Sequence, residues 1–233
     1  MVYMSFNWTW FLFMVPCFLM SLICSTNVKA TFSKYSRVQN SRRLTGARAA
    51  QEVLTANGVK GVTIEHVRGN LNDHFDPRTN TIRLSDSVYN ATTVAAVGVA
   101  CHEAGHACQH AQGYFPNKLR SAILPAANIG SKLSWFIIAI GLLLPVQYDF
   151  VVIIGIILYA AAVLFTVVTL PVEFNASSRA LKTIKSCRLL TEEEYPGASK
   201  TLRAAAMTYV ASAATAILQL LRLLLVFGNR RKR

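Results

Sequence analysis

The chain has 233 residues, 53% of them hydrophobic and 15% charged, with a mean hydropathy of +0.36. Soluble globular domains carry about a quarter charged residues, so the composition excludes an ordinary soluble domain, and its apolar richness excludes intrinsic disorder. Net charge is +13, from 24 Lys and Arg against 11 Asp and Glu, but the basic residues trail the apolar segments instead of forming one patch, which indicates membrane orientation and no nucleic-acid partner.

Four stretches, 8–25, 133–146, 151–172 and 204–228, are nearly free of charge. The expected fold is a mainly α membrane protein, a helical bundle with a small β-hairpin element. Residues 1–26 read as a signal anchor or a signal peptide. No Lys or Arg precedes this run, whereas Lys29, Lys34, Arg37, Arg42 and Arg43 follow it. That asymmetry predicts an outside N-terminus and a cytoplasmic body. The signal-peptide alternative has Val28-Lys29-Ala30 as its cleavage-like site. Residues 27–233 are expected to form one membrane-embedded domain. The five cysteines are odd in number and form no CxxC pair, so they outline neither a disulfide framework nor a cysteine zinc knuckle.

Residues 44–58 predict a helix, with Thr45 as N-cap, Ala47, Ala50 and Leu54 at helical spacing, and Gly58 at its end. Val62 and Ile64 alternate with polar neighbours, as do Ile82 and Leu84, with Gly69 and Pro77 between. This predicts a small two-stranded element. Residues 92–112 predict a long helix ended by Gly113 and Pro116. Residues 131–172 predict a transmembrane hairpin turning at Gln147-Tyr148-Asp149. A span needs about 20 apolar residues, so its first arm must begin near Ile129 with Lys132 snorkelling to the interface. Residues 204–228 predict a fourth apolar helix, interrupted by Arg222. It is expected to lie in the interface or pack on the hairpin, keeping Arg230, Arg231, Lys232 and Arg233 cytoplasmic.

On the 92–112 helix stands His102-Glu103-Ala104-Gly105-His106, an HExxH pattern. Two histidines four apart share a helix face with Cβ atoms roughly 6 Å apart, so both imidazoles can reach one zinc ion. Glu103 then sits where a carboxylate can take a proton from water. At this chain's own His and Glu frequencies about 0.003 such matches arise by chance, so the pattern is read as a metal site.

A hydrolytic zinc site takes three protein ligands and leaves one position open. His110 is rejected as the third. In the longer HExxHxxGxxH motif a glycine turn brings back a histidine ten residues after the first, whereas His110 follows His102 by eight on a continuing helix. It lies about 12 Å away along the axis. Glu173 is the stronger candidate, an ionisable residue directly after an apolar span. The two crossings between His106 and Glu173 return the chain to its starting side, where both can meet. Asp73 and Asp76 are next in line.

Three segments carry a family resemblance: His102-Glu103-Ala104-Gly105-His106-Ala107, the run from Leu170-Pro171-Val172-Glu173 to Ser177-Ser178-Arg179-Ala180, and Thr208-Tyr209-Val210-Ala211. They resemble the bacterial neutral zinc metallopeptidases of the YugP-like kind, as does Leu71-Asn72-Asp73-His74-Phe75-Asp76-Pro77-Arg78. The segment around Glu173 is also similar to the third-ligand region of HtpX-type and CaaX-prenyl membrane proteases, which place Asp where Ser177 stands. The resemblance implies an integral-membrane, gluzincin-like peptidase with Zn2+ held by His102, His106 and Glu173. Such enzymes commonly need a donor for the developing oxyanion, and His74 and Tyr209 are the candidates. Arg179 is either a partner for a substrate or a carboxylate, or a positive-inside residue.

The expected function is a membrane-bound zinc endopeptidase, with Glu103, His74 and Tyr209 in catalytic roles. Its expected partners are peptide or protein substrates, membrane proteins among them, and the lipid bilayer. The alternative is a non-catalytic metal-binding membrane protein acting as an assembly partner or sensor. A purely structural site wants four protein ligands and no adjacent base, which Glu103 speaks against. A transporter is disfavoured because no charge lies deep in the 133–172 hairpin and no inverted repeat is visible.

Overall fold

A computed structural model describes residues 8–230; residues 1–7 and, in the basic tail, Arg231, Lys232 and Arg233 lie outside them. The elements in chain order are α1 (Trp8–Tyr35), α2 (Gly46–Ala56), β1 (Thr63–Val67), β2 (His74–Asp76), β3 (Thr81–Ser85), α3 (Val94–Ala111), α4 (Phe115–Leu143), α5 (Asp149–Ser186) and α6 (Tyr195–Arg230). Helices α1, α4, α5 and α6 are each long and apolar enough to cross a membrane. The chain divides into two compact units, and each of these four helices contributes to both.

The apolar unit comprises Met1–Ile23, Leu119–Leu170 and Tyr209–Arg233. Within it α4 and α5 form the expected hairpin, joined by a single 3-10 turn at Val146–Tyr148. Small residues let the two backbones close on each other: a side chain at Gly130 would strike the Leu158 carbonyl, and one at Gly155 would meet Ile138. Such contacts drive helix association where lipid supplies no hydrophobic force. Ile138, Val152, Ile156 and Leu223 form the unit's buried cluster. Phe136, Ile157, Leu164 and Leu225 are exposed, as befits helices surrounded by acyl chains. Helix α4 starts far earlier than its apolar stretch suggests, because Pro116 stands in its first turn, where a missing N–H costs nothing.

The polar unit comprises Cys24–Lys118 and Pro171–Thr208. Helix α2 starts as expected, the Thr45 hydroxyl accepting from Arg48 N–H. It packs Ala49, Ala50, Val53 and Leu54 into a core shared with Ile82 and Leu84 of β3, Val97, Ala100 and Ala104 of α3, and Ala180 and Ile184 of α5. The sheet differs from expectation. It has three strands in the order β1-β3-β2, with β1 parallel to β3 and β2 antiparallel to it. The hairpin is therefore β2–β3, and His74 opens β2 opposite Arg83. Asp76 closes the hairpin turn by accepting from Arg78 N–H, Thr79 Oγ1 and Arg83 Nη1, each at 3.0 Å. Those donors, the Arg78 N–H foremost, hold its carboxyl at about 2.

Thr93 caps α3 through Ala96 N–H, and the helix runs unbroken to Ala111. Two glycines set its neighbours. The Cβ absent at Gly98 would lie 3.4 Å from Ala198 of α6, and at Gly105 it would lie 2.6 Å from the Ala176 carbonyl oxygen of α5. Glycine is unfavourable inside a helix by about 1 kcal/mol against alanine. Here it permits backbone contact between α3 and α5 one residue before His106 and three after Glu173.

Candidate metal centre

Helix α3 carries His102 and His106 on one face, and α5 continues through Pro171 so that Glu173 and Ser177 occupy one face, four residues apart. The Gly105–Ala176 contact brings these faces together. His102 Nε2 lies 3.1 Å from His106 Nε2 and 3.2 Å from Glu173 Oε2, and His106 Nε2 lies 3.5 Å from the same carboxylate oxygen. Tetrahedral zinc with bonds of about 2.0–2.1 Å to N and O ligands has edges of about 3.3 Å. The three separations therefore outline one face of a zinc tetrahedron. Among the described residues, these three side chains bring their ligand atoms within 4.8 Å of one another. Glu173 is 3% exposed, and a carboxylate so deep needs a cation or a hydrogen-bond donor.

The groups behind the ligands fix their orientation. Arginine can only donate, so Asn175, 2.7 Å from Arg179 Nε, turns its Oδ1 to the guanidinium. The same oxygen accepts from Gln109 Nε2 at 3.0 Å, and that NH2 also donates to the Val172 carbonyl at 2.8 Å. The Gln109 amide is thereby oriented, and its Oε1 faces His106 Nδ1 at 3.1 Å. An amide oxygen accepts, so Nδ1 of His106 carries a proton, which leaves Nε2, facing His102 and Glu173, as the atom available to a metal. On His102, Ser177 Oγ lies 3.0 Å from Nδ1. Arg179 also donates to Gln112 and sits over the Tyr114 ring. It is thus tied to the amide oxygens of Asn175 and Gln112.

Gln109 is fully buried, and replacing it with Leu deletes the acceptor for His106 Nδ1–H while keeping the volume. Zinc affinity of Gln109→Leu should fall about 10–100-fold, measured by competition with a chromophoric chelator. Unchanged affinity would mean that the relay does not hold the imidazole.

Glu103 is 8% exposed, beside His102 on α3. Burial works against a charge on His106, yet the carboxylates of Glu173 and Glu103 outweigh it and hold the imidazole above its ordinary pKa. The negative charge of Glu103 is thus felt at the ligand cluster.

The other candidate residues are placed differently. His110 is exposed near the end of α3 with its ring 5.7 Å from that of Phe75. His110→Ala should keep its zinc and lose activity by less than about tenfold, below the 10²-fold or more expected for a lost acid–base group. Loss of stoichiometric zinc in that variant would reinstate His110 as a ligand. Asp73 accepts from Ser85 N–H at 2.7 Å and from its hydroxyl at 3.0 Å, and burial raises its pKa. With Asp76 held in the hairpin turn, neither aspartate is drawn into the ligand cluster. His74 is exposed, and its Nδ1 lies 2.8 Å from the Asn72 carbonyl oxygen. A carbonyl only accepts, so neutral His74 presents a lone pair at Nε2 and can donate there only as the imidazolium. Tyr209 lies at an exposed position of α6, in the apolar unit. Sequence reasoning missed Gln109 and Asn175. The signal available was Gln109 three residues after His106, a spacing that makes them neighbours on a helix.

Residues 10–228 match the family described as "Putative neutral zinc metallopeptidase". The chain is 44% identical over 204 residues, 88% of its own length and 90% of the other, to "Putative membrane protease YugP" of Bacillus subtilis (strain 168). No solved structure matches it.

Proposed function

The chain belongs to the neutral zinc metallopeptidase family, and on that premise we propose that it is a membrane-bound endopeptidase that cleaves peptide or protein substrates, membrane proteins among them. The observation that carries this is the triangle of His102, His106 and Glu173, spaced as three corners of a zinc tetrahedron whose fourth corner no described His, Cys, Asp or Glu fills. Zinc bound there would acidify a water and polarise the scissile carbonyl. Glu103 takes the proton of the attacking water and returns it to the leaving amine. Ser177 and Gln109 keep each imidazole's Nδ1–H engaged so that Nε2 faces the ligand cluster. The carbonyl oxygen gathers negative charge as it is attacked, and a donor steadies it, either the imidazolium of His74 or the phenol of Tyr209. A cytoplasmic side for the polar unit is part of the same reading, supported by the basic residues that trail the apolar runs of α1 and α5.

Purified full-length protein in neutral detergent should cleave casein, stop when zinc is stripped by a chelator, and recover when one equivalent is returned. Cleavage that persists without zinc would contradict the proposal.

A further inference from the structure

Away from the metal ligands, within the polar unit, the last two turns of α1 and the first turns of α6 enclose a groove of about 330 Å³ lined by Asn27, Thr31, Lys34, Tyr35, Lys200, Arg203, Ala204 and Met207. Three of these side chains are cationic, and no carboxylate is among them. Like charges sharing a groove repel, so the arrangement favours a bound anion. The walls are held in register because α6 meets α1 through a glycine: a Cβ at Gly197 would lie 2.7 Å from the Tyr35 ring. The groove is graded from end to end. Lys34, Tyr35 and Lys200 stand at the polar ends of the two helices, while Ala204 and Met207 stand where α6 enters its apolar stretch, and both helices are candidate membrane spans.

We propose that this groove binds the phosphate of an anionic membrane lipid. Arg203 offers a planar fork suited to a phosphodiester, and Lys34 and Lys200 add charge above it. Asn27 and Thr31 supply polar groups for the headgroup glycerol, and Met207 and Ala204 supply an apolar surface where the acyl chains begin. A free phosphate would use the cations but leave that apolar end unused, and the two helices enter the bilayer where anionic headgroups reside. The volume is about ten times a water's share of the liquid, enough for a phosphodiester and its glycerol.

The test is native mass spectrometry of the full chain in neutral detergent, titrated with phosphatidylglycerol, phosphatidylcholine or inorganic phosphate. Phosphatidylglycerol should bind about tenfold or more tightly than phosphatidylcholine. The variant Lys34→Gln/Lys200→Gln/Arg203→Gln should weaken it on the order of a hundredfold. Lys60→Gln/Arg68→Gln/Arg78→Gln, which removes equal charge around the sheet, should leave binding unchanged. Arg203→Gln alone, the milder change, should weaken it about fivefold. Unchanged phosphatidylglycerol binding in Arg203→Gln and the triple variant, equal weakening in the sheet variant, or displacement of the lipid by millimolar inorganic phosphate would each overturn the proposal. None of these readouts depends on peptidase activity.

Discussion

Glu103→Gln should retain one zinc per chain and lose proteolysis by the 10²–10⁴-fold typical of a removed acid–base group, or more if water is no longer activated. The amide keeps the side-chain volume at a buried position of α3, so the helix and the His102–His106 pair should stand. What it loses is the ability to accept a proton. Added zinc cannot repair that defect, so activity should stay low at any zinc concentration. The same variant separates the enzyme from a non-catalytic metal protein. A sensor or assembly factor would keep its function in Glu103→Gln, because the ligands are untouched. Full proteolysis by Glu103→Gln would sink the peptidase reading.

The second large effect is expected at Glu173. Glu173→Ala deletes the carboxylate that faces both imidazoles and leaves two histidines, which hold zinc weakly without a third ligand. Zinc content itself should fall well below one per chain. Excess zinc should then restore binding in part and some activity with it, the opposite of Glu103→Gln. If the purified variant retained a full equivalent of zinc, the third ligand would lie elsewhere and the α3–α5 arrangement would need another explanation.

What could be read from the sequence tracks how local each signal is. His102 and His106 are four residues apart on one helix, so their pattern survives without any knowledge of the fold. Glu173 was legible for a different reason: a carboxylate directly after an apolar span is costly without a partner, and two crossings bring it back to the side of His106. Gln109 and Asn175 gave no such signal. They meet across 66 residues through amide groups that carry neither charge nor periodicity. Strand β2 was hidden as well, since it is three residues long, too short for alternation to show, whereas the paired runs around Ile64 and Ile82 were legible. Pro116 was read as the end of a helix, but it stands in the first turn of α4, where its missing N–H costs nothing, and Pro171 stands inside a long apolar helix, where neighbouring groups can satisfy the freed carbonyl. On propensity alone the glycines of α3 disfavour a helix. Their role is apparent only once the Ala176 backbone is seen against Gly105.

The central claim is that this chain holds zinc through His102, His106 and Glu173, and X-ray absorption at the zinc edge of the full-length protein in detergent tests it most directly. The account predicts one zinc per chain with only nitrogen and oxygen neighbours at about 2.0–2.1 Å, two of them imidazoles. In Glu173→Ala, back-loaded with zinc, an oxygen or nitrogen scatterer from the protein should be replaced by solvent while both imidazole signals persist. Sulfur scattering at about 2.3 Å, which would bring in the cysteines, or an imidazole count that survives His102→Ala and His106→Ala unchanged, would contradict it.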